Sequence, residues 1–150
     1  MKVVFDTVVV LRAYINPQNR WGRLLARHTN EYRLVVSPPI VAEYLDVLLR
    51  PELSNRFSSL ATLPTASLFG QLAQAEVVRP TDVPSVSRDP DDDIFFATTR
   101  RGGADYIVSE DKDQLDVGEY EGIKVVTAGE FLRILAEQDR RGQDRAPHGR

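Results

Sequence analysis

Cysteine is absent from the 150 residues. That excludes a disulfide-stapled scaffold and any thiolate zinc site, and it fits a reducing compartment. Histidine is scarce: His28 and His148 are the only two and lie far apart, so a histidine-rich metal centre is not expected. Any metal would have to be held by carboxylate oxygens, which points to Mg²⁺ or Mn²⁺. No apolar run approaches the roughly 18 residues that span a membrane. The opening MKVVFD is too short in its apolar part, and turns acidic too soon, for a signal peptide. The chain therefore reads as cytoplasmic, with no membrane partner. A surplus of basic charge is also missing: the net charge is −3, so nucleic-acid binding would need a local patch. Internal repeats and a Gly- or Ser-rich linker that could divide the chain are missing too.

What is present suits one ordinary domain. A hydrophobic fraction of 42% with 27% charged residues is usual for a soluble globular fold, and a chain of this length can bury a sizeable core. Short apolar runs read as strands: Lys2–Phe5, Arg33–Val36, a weaker one at Glu76–Arg79, Asp105–Val108 and Gly122–Val126. Val8–Tyr14 continues apolar until Pro17. Helical spacing begins at Trp21 with Leu24, Leu25 and His28. Pro38 and Pro39 open a helix through Ile40–Leu49, where proline is tolerated in the first turn, and Pro51 stops it. Residues 52–76 are expected to be helical with a joint at Ala61–Thr65. Asp91 or Asp92 is expected to cap a helix running to Arg101, ended by Gly102 and Gly103. Thr127 with Glu130 three residues on forms a capping box before Phe131, Leu132, Ile134 and Leu135. Residues 139–150 lack periodicity and read as a disordered basic tail, leaving 1–138 as the domain. Strands that alternate with helices and are apolar throughout imply a parallel sheet covered on both faces.

The stretch RDPDDDIFFATTRRGGADYIVSEDKDQL carries acids at both ends of an apolar passage. In open α/β sheets ligands sit at the carboxyl ends of the strands. Asp6 ends the first strand, Asp111 and Asp113 follow the strand at 105–108, Asp93 begins the helix before it, and Glu43 lies early in the helix after strand two. Four distant segments can thus deliver acids to one sheet edge. Two like charges about 5 Å apart repel by roughly 3 kcal/mol at an effective dielectric near 20, so such a cluster raises its own pKa values or takes up a cation. A bound Mg²⁺ reverses the repulsion and suits phosphodiester hydrolysis. A phosphoacceptor receiver domain would also place acids near strand ends, but no acceptor aspartate paired with a lysine on a later strand is evident.

With VVFDTVVVLRAYI, SPPIVAEYLDVLLRP and GIKVVTAGEFL in order around that stretch, the chain resembles the PIN-domain family over about residues 1–137. It is similar to the prokaryotic VapC-like branch of toxin components. The resemblance implies an α/β/α sandwich of three layers around a mainly parallel sheet of about five strands. It also implies a metal-dependent endoribonuclease that cleaves single-stranded RNA without a covalent intermediate. Asp6, Glu43, Asp93 and Asp111 match the family's acids by position, Asp113 flanks them, and Ser109 stands where threonine is usual. A cognate antitoxin and a homodimer are the implied protein partners. Leu63, Leu68, Phe69 and Leu72 are candidates for an interface or for the core, and Arg12, Arg100 and Arg101 equally for contact with the RNA backbone or for solvated surface charges that could pair with an antitoxin. Asp91 and Asp92 read as helix-capping residues, and Trp21 as an ordinary packing residue. One position departs: the family reads D-T-N after the first strand, and here Val8 follows Asp6 and Thr7. Valine neither donates nor accepts a hydrogen bond, so an impaired PIN-like module that binds RNA or protein is the alternative expectation.

Overall fold

The computed structural model describes residues 1–16, 18–26, 30–50 and 65–145. Strand β1 (Lys2–Phe5) leads into helices α1 (Thr7–Ile15) and α2 (Arg20–Ala26), then β2 (Arg33–Val36) and α3 (Pro38–Leu48). Helix α4 (Thr65–Gln74) precedes β3 (Glu76–Val77). A 3-10 turn (Pro90–Asp92) runs into α5 (Asp93–Gly102), followed by β4 (Tyr106–Val108), α6 (Lys112–Leu115), β5 (Glu119–Tyr120), β6 (Ile123–Val126) and α7 (Ala128–Arg145).

The sheet has six strands in the order β3-β2-β1-β4-β6-β5. All pairings are parallel except β5 with β6. The chain steps outward from β1 to β3 and then reverses to β4 on the other side of β1. Right-handed crossovers put helices from the two directions on opposite faces, giving a three-layer α/β/α fold. Register pairs Val3 with Leu34 and Tyr106, so Val4, Val35 and Ile107 share the opposite face. Helix α5 presses on that second face: a Cβ at Gly102 would stand 2.6 Å from Val35 Cγ1, a distance only glycine permits. On the first face the Phe131 ring of α7 packs against Tyr106 and Tyr32, and Tyr32 against Phe5. The core lies on both sides of β1, β2 and β4, whose inner residues are buried.

Several expectations change. Val8–Tyr14 is helical, because the chain turns at Asp6 and burial of Val9, Val10 and Ala13 outweighs the weak helix preference of a valine run. The sixth strand, β5, forms a hairpin with β6 across Glu121 (φ 49°) and Gly122 (φ 83°). Positive φ at both residues matches a tight two-residue turn. Neither Asp91 nor Asp92 caps α5 with its side chain. Asp92 holds the N-cap position of α5 without a side-chain bond, and Asp89 caps the 3-10 turn ahead of it, accepting the Asp91 N–H at 3.0 Å. Gly103 ends α5 in the left-handed region, φ 61°. Residues 139–145 continue α7 as helix rather than a disordered tail. The capping box is half present: Glu130 N–H donates to Thr127 Oγ at 3.2 Å. Pro17, His28, Pro51, most of the joint at 61–65, Leu63, His148 and the side chains of Leu68 and Phe69 lie outside the described residues. Leu72 packs partly buried against the core. Among the described residues no helix is long and apolar enough to cross a membrane.

Candidate metal centre

The site follows from the reversal of strand order between β1 and β4, where an open parallel sheet leaves a crevice at its carboxyl edge. Asp6 leaves β1 there, with its backbone N–H donating to Val108 O at 2.9 Å. It occupies the N-cap position of α1, yet its carboxylate makes no capping bond and is free to face the crevice. Ser109 leaves β4 beside it, fully buried, with Oγ 3.4 Å from Asp6 Oδ2. The same hydroxyl oxygen accepts the Asp111 N–H at 3.0 Å. Asp111 then caps α6 by accepting the Asp113 N–H at 2.9 Å. One serine thus links the first acid to the turn that carries the last two.

Helix α6 supplies the residue that joins the acids. Gln114, 0% exposed, donates from Nε2 to Asp6 Oδ1 at 3.3 Å and to Asp92 Oδ1 at 3.1 Å. Only the NH₂ end of the amide can serve two carboxylates. Its carbonyl oxygen, Asp92 Oδ2 and Thr7 Oγ remain buried with no hydrogen-bond partner among the described residues. Glu43 approaches from α3. The buried Tyr44 hydroxyl beside it donates to the carbonyl of Phe5, which pins this turn of α3 to the end of β1.

Electrostatics confirm a crowded set of acids. Burial is the main cause that pushes Asp6 up from 3.8 to about 6, with Asp111 and Glu43 adding repulsion while the Thr7 N–H and Gln114 oppose it. Asp92 is pushed up to about 7, again first by burial, then by Asp111 and Asp89, with Gln114 opposing. Glu43 is raised, first by shielding of its carboxyl although the residue as a whole is exposed. Among the described residues Thr7 Oγ lacks hydrogen-bond geometry to any partner, yet it lies near enough to favour ionised Glu43.

The structure brings Asp6, Asp92 and Asp111 together with Ser109, and sets Glu43 at the rim. Asp93 lies elsewhere: its Oδ1 accepts the Val86 and Ser87 N–H groups at 3.1 and 2.7 Å, tying the preceding loop to α5. Asp92 takes the place expected for Asp93, because one residue turns a helix by about 100° and swings the side chain to another face. Asp89, Asp92 and Asp113 each bring a carboxylate oxygen within 4.8 Å of the other two. Arg88 pairs with Asp113 at 3.0 Å and with Asp116, placing a positive charge on the rim. Glu110 serves the frame, accepting from Trp21 Nε1 and from Ala128 N, both at 3.1 Å. Sequence reasoning missed Asp89, Asp92 and Gln114. The consecutive acids 91–93 left the register open, and no pattern marks Gln114 as inward.

An oxygen-only donor set, a buried carboxylate oxygen without a partner and carboxyls raised by burial, with neighbouring acids adding to it, fit a hard divalent cation. A doubly wound α/β domain with such acids at its switch point is a nuclease-type fold. The chain belongs to the PIN domain family, whose model matches residues 2–113. PIN domains are generally nucleases that act on nucleic acid with a divalent metal. The match includes Asp6, Glu43, Asp89, Asp92, Asp111 and Asp113 and stops one residue before Gln114. No curated protein and no solved structure matches the chain.

Proposed function

We propose that this protein is a Mg²⁺- or Mn²⁺-dependent endoribonuclease that cleaves single-stranded RNA, acting in the cytoplasm as the toxin of a toxin–antitoxin pair. The observation that carries the catalytic reading is the Gln114 amide holding Asp6 and Asp92 side by side, an arrangement of like charges that favours a cation. Asp6, Asp92 and Asp111 are the residues to hold it, with Asp89 and Asp113 close to Asp92 and Glu43 near Asp6. When bound, the cation supplies charge neutralisation for the phosphodiester and a lowered pKa for water. The protein's own part is positional. Gln114 sets the separation of two carboxylates, Ser109 fixes Asp111 relative to Asp6, and Glu43 at the rim is placed to orient a water or accept its proton. The toxin assignment and an antitoxin partner rest on the resemblance to VapC-like chains, as does a homodimer.

Val8 favours the second reading, a PIN-like binding module with weak turnover. It lies partly buried in the first turn of α1 and brings no polar group to the acids. Cleavage of a mixed single-stranded RNA pool, with and without Mn²⁺, tests the first reading. Metal-dependent cutting that is lost in Asp92→Asn supports it. A folded protein that binds Mn²⁺ and cuts nothing supports the second.

A further inference from the structure

We infer that Arg12 and Arg20, stacked on Trp21, form a phosphate clamp that receives the RNA backbone beside the carboxylates. This rests on the nuclease reading and names how that site takes its substrate. The Arg12 guanidinium lies 4.8 Å from the Trp21 ring centroid and that of Arg20 lies 5.4 Å away. Both arginines are exposed and the indole is half-buried. A guanidinium held over an aromatic ring by cation–π attraction still has N–H groups to offer phosphate oxygens. Neither arginine pairs with a carboxylate among the described residues. Arg88, Arg50 and Arg100 differ, being engaged by Asp113 and Asp116, by Asp46 and by Asp82.

The clamp is attached to the site through one bond. Trp21 Nε1 donates to Glu110 Oε1 at 3.1 Å, and Glu110 immediately precedes Asp111. The indole is therefore anchored to the turn that presents the candidate ligands, and both cations share that anchor. An edge crowded with carboxylates repels a polyanion, so a fixed pair of positive charges next to it answers a specific need. Arg100 and Arg101 are less well placed, since they sit in the last turn of α5, about 10 Å along the helix from the acids at its start.

The test measures binding without cleavage. A fluorescein-labelled oligouridylate is titrated in EDTA with the parent chain, with Arg12→Gln/Arg20→Gln and with Arg12→Lys/Arg20→Lys, all checked for equal thermal stability. Each phosphate contact on a single strand contributes roughly 0.7 to the slope of log affinity against log salt. Losing two should lower the parent slope by about 1.4, so the weakening between 50 and 200 mM salt shrinks by about sevenfold. The lysine pair should retain most of the slope. An unchanged slope in the glutamine pair overturns the clamp and leaves the nuclease reading intact, which Mn²⁺-dependent cleavage by the same variant would demonstrate. A parent chain that fails to bind the oligouridylate overturns the clamp and single-stranded RNA together. Equal binding of an oligoglutamate, lost in the same variant, would assign the surface to an acidic protein segment and overturn the RNA assignment.

Discussion

Asp92 and Asp93 are consecutive, and their carboxylates serve opposite sides of one turn. Asp92 meets Gln114 in the crevice, while Asp93 holds the backbone of Val86 and Ser87. On the proposed function, the first carboxylate is expected to serve the chemistry and the second the fold. Asp92→Asn should abolish Mn²⁺-dependent cleavage while leaving the cation-free fold as stable as before or more so. Asp93→Asn weakens two hydrogen bonds to a buried carboxylate and should cost about 1.5–3 kcal/mol of stability, with cleavage per folded molecule retained. Denaturant titration beside the cleavage assay decides. A stable but inactive Asp93→Asn would reverse the assignment.

This pair also shows how far the sequence could be read. The parallel sheet was legible because β1, β2, β4 and β6 are short, apolar and regularly interrupted, and Asp6 was legible because it ends the first of them. The three acids at 91–93 were not separable. Periodicity says a helix begins there, but the choice of inward acid depends on the 3-10 turn that Pro90 and the Asp89 cap impose ahead of α5. Gln114 was invisible for a different reason. A polar residue one turn into a four-residue helix reads as solvated until the sheet edge closes over it.

Glu110 is expected to act through architecture. Its Oε1 accepts both the indole N–H and the first N–H of α7, where a negative charge also complements the helix N-terminus. Glu110→Ala should destabilise the protein by about 1–3 kcal/mol, the cost of leaving such donors unpaired. A variant as stable as the parent in denaturant titration would show that these bonds contribute little.

Asp6 and Asp92 give the cation-free protein a defined pH dependence. Their folded values, about 6 and about 7, lie above the ordinary 3.8. The folded state therefore binds more protons than the unfolded chain between these limits, and the stabilisation present below pH 4 is lost as pH rises through 6 and 7. In EDTA the melting temperature should be higher at pH 5 than at pH 8. Added Mn²⁺ should raise it more at pH 8, where protons no longer compete for the carboxylates. Asp92→Asn should flatten the dependence in EDTA. A parent curve that is level from pH 5 to 8 would contradict the raised values.

Gln114 and Val8 offer a direct comparison between an amide that is present and one that is absent. The Gln114 N–H group already places a neutral donor between Asp6 and Asp92, and groups that orient metal ligands typically contribute about 10–100-fold in affinity or activity. Gln114→Leu keeps the volume but removes the donor. It should weaken Mn²⁺ binding by about that factor in calorimetry, and it should leave the cation-free protein less stable because two carboxylates lose their shared partner. Gln114→Asn is one methylene shorter and should recover little. Val8→Asn adds a polar group in the first turn of α1 without touching the clamp on the carboxylates. If Gln114 is sufficient, Val8→Asn changes Mn²⁺ affinity and cleavage little. A large gain in cleavage with unchanged Mn²⁺ affinity would instead show that the site holds its cation and lacks only the group at position 8.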